Sequence, residues 1–145
     1  MIKFCMVVAI CFYCFSAAGQ KNDSLKLICP LNEAAETHAE KQSYSLGGEE
    51  VKVVLTSATD TIVKACTKGT VTNVMPNGDG TWMVMFNSPE YLFVYSGITK
   101  TSAGKGQRLQ SGETIGFLKP GAKLEFRLSD SESPLDPKKY LSCDW

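Results

Sequence analysis

The sequence is poor in histidine: His38 is the single one among 145 residues. Histidine supplies the base of most catalytic triads and is the commonest nitrogen ligand of metal sites. A serine or cysteine triad would therefore need His38, and the chain has no G-x-S-x-G stretch to supply a serine nucleophile. His38 lies between Glu36 and Glu40, but no second strong nitrogen ligand is available. We expect no metal site, triad or bound cofactor built on His38.

The chain also lacks an excess of either charge. It carries 15 basic and 15 acidic residues, so its formal net charge is zero. A neutral chain without a basic patch is not steered toward nucleic acid. The glycines around 104–107 lack the preceding strand and following helix of a phosphate-binding loop. These absences argue against nucleic-acid binding and against nucleotide chemistry.

Long apolar runs are scarce as well. The run at 4–15 is too short to span a bilayer stably. It follows Lys3 and precedes four small residues at 16–19, which is the pattern of a secretory signal peptide. We predict a signal peptide at 1–19 with cleavage before Gln20, and an uncleaved anchor is the alternative. The mature protein is then secreted, or lies in the periplasm or cell envelope, without a stable membrane span.

Cysteine usage leaves the redox state open. Three of the six cysteines lie in the predicted signal peptide, and an odd number remains in the mature chain. At least one of these three is therefore unpaired within a monomer. Their spacing matches no zinc-binding pattern. An oxidising compartment favours one bridge among them, and the alternative is that all are buried reduced thiols. The three are Cys29, Cys66 and Cys143.

Residues 20–46 form a predicted N-terminal extension. The apolar run 27–31 ends in a proline and predicts a first strand. Residues 32–42 show weak helical spacing after a possible Asn32 cap, which fits a frayed helix or an ordered loop. After Gly47 and Gly48 the composition becomes β-rich, so we place a second, all-β unit at 47–145.

Several short segments in that unit are rich in β-branched and aromatic residues and predict strands. The turn residues 76–80 predict a tight hairpin, because glycine and asparagine adopt positive φ readily. The nearly continuous apolar run 82–86 suits a strand that is buried on both faces. The predicted strands of this part are 51–55, 61–66, 69–75, 81–86 and 91–95.

The stretch 104–141 predicts a further hairpin. Gly112 turns the chain, residues 114–118 read as a strand, and Pro120 and Gly121 form a turn pair. Residues 123–128 then alternate charged with apolar side chains, which indicates one solvated face. Strand alternation also predicts a set of core residues. They are Ile62, Val71, Val84, Phe86, Ile115 and Phe126.

Residues 106–116 read G-Q-x-L-x-x-G-E-x-I-G, and K-L-E-F-R-L and L-D-P-K-K-Y-L follow. This order resembles the closing segment of the M23 (lysostaphin/LytM-type) peptidases, in which the strand reads H-L-H-F-E-V. Further segments are similar in the same order: 27–31, 60–71 and 91–95. The resemblance covers about residues 28–141 and implies an all-β sandwich or barrel of the duplicated hybrid motif.

The same resemblance locates the positions of a metal site. In the family, the histidine and aspartate of H-x-x-x-D and the second histidine of H-x-H hold zinc. The H-x-x-x-D positions fall near Glu50 and Val54. The two histidines of H-x-H fall on Lys123 and Glu125. A histidine that assists the chemistry falls on Gly97. A charged lysine has no lone pair, and two glutamates alone make a poor cation site. A surface charge pair between Lys123 and Glu125 is the ordinary interpretation. We therefore predict a degenerate member, not an enzyme, without a metal.

The function that the resemblance implies is that of a secreted, non-catalytic M23-like domain, which binds peptidoglycan or regulates a cell-wall hydrolase. One alternative is an active metallopeptidase, a cell-wall hydrolase, with an atypical metal site that recruits His38. The other is a structural module of the envelope. Half of each alternating strand must face the core, so only some aromatic side chains are available to a groove. The candidates are Trp82, Tyr91, Phe93 and Tyr95.

Overall fold

The structure is a computed structural model that describes residues 25–37 and 51–145. The predicted signal peptide, His38 and Glu50 lie outside these residues. The strands are β1 (Leu27–Ile28), β2 (Ala35–Glu36), β3 (Val53–Thr56), β4 (Ile62–Lys64), β5 (Gly69–Pro76), β6 (Trp82–Asn87), β7 (Leu92–Ile98), β8 (Lys100–Thr101), β9 (Arg108–Leu109), β10 (Thr114–Phe117), β11 (Lys123–Ser129), β12 (Pro134–Leu135) and β13 (Leu141–Ser142). The described residues contain one helix, the 3-10 helix Pro137–Lys139. Within them, no helix is long and apolar enough to cross a bilayer.

The strands of the described residues form three sheets, which confirms the all-β prediction. The largest has the order β2-β3-β11-β7-β6-β5-β9, and β12 pairs with β11 outside this path. A second sheet has the order β4-β10-β8, and β1 pairs with β13 in parallel. Every other pairing is antiparallel.

An aromatic cluster fills the core beneath the large sheet. Phe126 of β11 lies 5.1 Å from the ring of Tyr95 and 6.2 Å from that of Phe93, between ring centroids. Phe86 completes the cluster, 6.4 Å from Tyr95. These four side chains have no exposed surface. They come from neighbouring strands, β6, β7 and β11, so one face of the sheet carries most of the aromatic core.

Five of the six predicted core residues are fully buried, which confirms the strand phase at those positions. Ile62 is the exception, because 38% of its surface is exposed. In β4 the neighbouring Val63 is the side chain that points into the core, at 0% exposure. The predicted phase of this strand was therefore wrong by one residue, which exchanges its two faces.

The predicted hairpin at 76–80 is confirmed. Strands β5 and β6 pair from Thr70↔Asn87 to Pro76↔Trp82, and the Asn77 N–H donates to the Thr81 carbonyl at 2.9 Å. Strand β6 is not buried on both faces as predicted. Trp82 is 37% exposed, and Met83 and Met85 are half-buried. Only one face of β6 packs on the core.

The predicted hairpin at 112–128 is wrong. The chain does turn before β11, where the Ala122 N–H donates to the Lys119 carbonyl at 2.9 Å. However, β10 pairs with β4 and β8, whereas β11 pairs with β3, β7 and β12. The turn therefore carries the chain from one sheet to the other. Gly116 allows the close pairing in the small sheet, since a Cβ there would lie 2.6 Å from the Lys100 carbonyl oxygen.

Residues 25–37 of the predicted N-terminal extension contribute strands to the sheets. In the segment 32–42, for which a frayed helix or an ordered loop was expected, residues 32–37 form a turn and β2. Strand β2 pairs with β3 through Ala35↔Thr56 and Glu36↔Leu55. The remaining residues of that segment lie outside the described part. The predicted first strand is short, and only Leu27 and Ile28 pair with β13.

The cysteine alternatives are resolved in favour of one bridge. Cys29 and Cys143 form a disulfide, with 4.9 Å between their Cα atoms. Cys66 is a free, buried thiol. The bridge ties the strand at the N-terminal end of the described residues to the last strand of the chain.

Candidate functional site

Adjacent strands bring together four of the positions that the resemblance singles out. Glu125 of β11 is the Cα partner of Val54 in β3 and of Ser96 in β7. Gly97 follows Ser96 and lies against the backbone of Lys123. The fifth position, Glu50, lies outside the described residues. The sequence therefore located one region of the large sheet, although its residues are spread over about 70 positions of the chain.

Glu125 is held by two cations. Its Oε2 accepts a hydrogen bond from Lys52 Nζ at 3.1 Å, and Arg127 Nη2 lies 3.7 Å from the same oxygen. The side chains of Lys52 and Glu125 are only 16% and 31% exposed, so solvent screens this pair less than a fully exposed one. The predicted pair of Lys123 with Glu125 is not the contact that forms at this carboxylate.

Gly97 has a backbone that only glycine adopts easily. Its φ is +95°, and a Cβ at this position would lie 2.5 Å from the Lys123 carbonyl oxygen. Such a distance is shorter than real Cβ contacts, and the blocking atom belongs to the backbone of a paired strand. A residue with a side chain does not fit here unless the two strands move apart.

An open cleft lies over these residues, with a volume of about 580 Å³. We call it the central cleft. Strands β6, β7 and β11 form its floor, and the 77–81 loop and the 119–122 turn form its walls. Its lining residues are Asn77, Asp79, Gly80, Thr81, Met83, Ser96, Gly97, Thr99, Lys119, Ala122, Lys123, Glu125 and Arg127.

Residues 51–137 match the sequence model of Peptidase family M23. The chain belongs to the M23 peptidase family. No curated protein sequence matches this chain.

Solved structures share this M23 fold. Csd3 of Helicobacter pylori superposes with a TM-score of 0.63 at 18% identity, over 83% of this chain and 34% of that one. A chain of the SpoIIQ–SpoIIIAH pore forming complex gives 0.61 at 14% identity, over 81% of this chain and 92% of that one. Lysostaphin gives 0.56 at 22% identity, over 74% of this chain and 49% of that one. This chain thus spans about half of lysostaphin and a third of Csd3.

The described residues at the positions that the resemblance assigns to the zinc ligands do not fit zinc. Val54 offers only methyl groups, and the ammonium of Lys123 has no lone pair. Glu125 is the one donor, and its carboxylate is already bonded to Lys52. Within 25–37 and 51–145, no three His, Cys, Asp or Glu side chains are grouped closely enough to hold a metal ion.

The wall of the central cleft is fixed to its floor by hydrogen bonds. Asn77 Nδ2 donates to Thr81 Oγ1 at 2.9 Å and to Ser96 Oγ at 3.0 Å. Asp79 Oδ1 accepts from the Thr81 hydroxyl and N–H at 2.6 and 2.9 Å, and these bonds lower the pKa of Asp79. Sequence reasoning recognised these loop residues only as a turn. Their polar side chains beside the floor strands were the available signal.

The aromatic candidates do not line the central cleft. Phe93 and Tyr95 have no exposed surface, so the prediction that they serve a groove was wrong. The Tyr95 hydroxyl oxygen accepts the Cys66 N–H at 3.0 Å inside the core. Tyr91 packs on the ring of Phe93, 6.5 Å between centroids. Trp82 is exposed but lies outside the lining, and Met83 is the large apolar side chain that the cleft presents.

Proposed function

We propose that this chain is an exported, non-catalytic M23 domain that binds peptides of peptidoglycan in the central cleft. The observation that carries the proposal is the state of Glu125. At the position of a zinc-ligating histidine, its carboxylate is bonded to Lys52 and lies beside Arg127. A metal ion would have to displace these cations from the carboxylate, which makes Glu125 a poorer ligand than a free one.

The neighbouring positions support the loss of catalysis. A zinc hydrolase needs three protein ligands, an open coordination position and a group that handles the proton of the attacking water. Val54 cannot ligate, and Gly97 has neither a side chain nor space for one. Val54 therefore bears on metal binding, and Gly97 bears on proton transfer.

The binding part of the proposal rests on what the fold keeps. The central cleft is open, and its volume of about 580 Å³ falls within the usual range of ligand pockets, about 300 to 1,000 Å³. Hydroxyl, amide and charged groups line it, and these suit a peptide backbone. The resemblance to cell-wall hydrolases makes peptidoglycan peptides the ligand class. A domain that holds such peptides without cutting them would also shield them from a hydrolase, which is the regulatory form of the same proposal.

Sedimentation with purified cell-wall sacculi tests the proposal. The chain should sediment with sacculi and leave their turbidity unchanged. Arg127→Ala, which removes a cation from the central cleft, should reduce the bound fraction. Arg108→Ala is the matched control, because Arg108 is an exposed arginine outside the cleft, and it should bind as the parent does. A parent chain that stays in the supernatant would overturn the proposal.

A structural role in the envelope is the second candidate. The likeness to a chain of the SpoIIQ–SpoIIIAH pore forming complex, over 92% of that chain, favours it. Such a module would bind a protein and ignore sacculi. Absence of sedimentation together with a stable, defined protein complex would therefore favour this candidate.

Export is proposed from the sequence pattern at 1–19. The mature chain should begin near Gln20. Amino-terminal sequencing of the exported protein checks this, and a soluble cytoplasmic protein that retains Met1 would contradict it.

A further inference from the structure

One end of the central cleft carries a cation that the described residues do not neutralise. Lys119 lines the cleft at the turn before β11, and its backbone N–H donates to Thr99 Oγ1 at 3.1 Å. This bond anchors the turn to the end of β7. The ammonium of Lys119 is exposed and makes no ion pair with any residue of 25–37 or 51–145.

The carboxylates that line the same cleft are already bonded. Glu125 interacts with Lys52 and Arg127. Asp79 accepts two hydrogen bonds from Thr81 across the tip of its own loop. Neither carboxylate forms an ion pair with Lys119. The end of the cleft at Lys119 therefore presents positive charge to a ligand.

Uncharged groups of the same cleft suit a peptide chain. Both N–H groups of Asn77 donate within the protein, to Thr81 and Ser96, so its Oδ1 is left to accept an N–H of a ligand. Thr99 Oγ1 accepts from Lys119, so its own hydroxyl proton is left to donate. Besides the cation, the cleft thus offers an acceptor at Asn77 and a donor at Thr99.

We propose that the central cleft binds a peptide by a free carboxylate, which pairs with Lys119. This inference rests on the proposed function and narrows it, because peptidoglycan stem peptides keep a free terminal carboxylate where they are not cross-linked. The cleft would then distinguish a stem peptide that ends in a free carboxylate from one whose terminal carboxyl is joined in a cross-link. An amide bond at the same place removes the charge that Lys119 recognises.

The test uses the full purified chain and two synthetic stem pentapeptides that end in D-Ala-D-Ala. One peptide is the free acid, and the other is its carboxy-terminal amide. Isothermal titration should give a dissociation constant about fivefold lower for the acid, the size of an exposed charge pair. The difference should shrink in high salt, which screens exposed charges.

Lys119→Gln should abolish the preference for the acid while the amide binds as before. Lys105→Gln is the matched control, since Lys105 is an exposed lysine outside the central cleft, and it should keep the preference. Equal affinity of the parent for acid and amide would overturn the inference, as would an acid preference that survives Lys119→Gln. If sacculi still sediment the chain in either case, the proposed function stands. If sacculi and both peptides all fail to bind, the proposed function falls as well.

Discussion

Gly97 is the residue at which the proposed loss of catalysis rests on backbone geometry. The family places a histidine there, according to the resemblance, and this chain has a glycine at φ +95°. The Lys123 carbonyl oxygen occupies the space that a Cβ would need. A histidine at this position is therefore opposed by the backbone of the paired strand.

Replacing Gly97 with alanine should destabilise the fold by about 2 kcal/mol or more, because both the positive φ and the close carbonyl oppose a Cβ. Gly104→Ala is the matched control: a Cβ there meets no atom within 4 Å. Urea denaturation of the two variants measures the difference. Equal stabilities would show that the contact at Gly97 relaxes without cost.

Phe126 is the residue whose truncation should damage the core most clearly. Its side chain has no exposed surface and packs on Tyr95 and Phe93. Phe126→Ala should lower the free energy of unfolding by about 3 to 5 kcal/mol. Ile62→Ala, at a side chain that is 38% exposed, should cost much less. A loss below about 1 kcal/mol for Phe126→Ala would contradict the burial of this face.

The buried pair of Cys66 and Tyr95 makes stability depend on pH in the alkaline range. Burial raises the pKa of the Cys66 thiol from 9.0 to about 12. It also raises the pKa of Tyr95 well above 10.0. Above pH 9 the unfolded chain therefore releases a proton from Cys66 that the folded chain retains. Stability should fall as pH rises from 9 toward 12, by about 1.4 kcal/mol per pH unit for one such group.

Measuring the unfolding free energy of the parent and of Cys66→Ala between pH 9 and 10 isolates the contribution of Cys66. Tyr95 contributes less in this interval, because its pKa in the unfolded chain, 10.0, lies at the upper end. The variant should show the shallower loss of unfolding free energy. Parallel slopes for the two proteins would contradict the burial of a protonated thiol at this position.

At the scale of elements, the disulfide joins two strands that pair over only two residues each. Strands β1 and β13 share the register Leu27↔Leu141 and Ile28↔Ser142, and Cys29 and Cys143 follow directly. Such a short parallel pair is weak by itself. The bridge closes a loop with a sequence separation of 114 residues, so it restricts the unfolded chain strongly.

Reduction of this bridge should lower the free energy of unfolding by about 2 to 5 kcal/mol, as chain entropy predicts for a long loop. Denaturation with and without a thiol reductant measures the loss. The double variant Cys29→Ser with Cys143→Ser is the control, and the reductant should not change its stability. A parent chain that is indifferent to the reductant would show that the bridge contributes nothing.

The wrong hairpin at 112–128 shows a limit of local patterns. The turn residues and both strand patterns were recognised correctly, and the alternation of β11 placed Phe126 inward as observed. The pairing partners were not visible, since residues 114–117 and 123–129 read alike whether they pair with each other or with distant strands. Pairing over long sequence separations is decided by how the two sheets close on each other.

At the scale of the whole molecule, the resemblance predicted the fold and the location of the central cleft. It predicted the side-chain contacts within the cleft less well. The order of the motifs predicted which positions converge, and Val54, Gly97 and Glu125 do lie together. It did not predict Lys52 as the partner of Glu125, because Lys52 lies just before β3, 73 residues away in sequence. It also missed Lys119, whose position depends on a turn between two sheets.

The central claim is that this M23 domain has lost its metal chemistry and keeps its cleft. Metal analysis of protein purified without chelators, combined with a turbidity assay on cell walls in added zinc, tests it most directly. Tight zinc binding needs three or four ligands at about 2.0 to 2.3 Å from the ion, and the described residues at these positions offer one. We expect far less than one zinc per chain and no lysis. Stoichiometric zinc together with lysis that a chelator abolishes would contradict the claim.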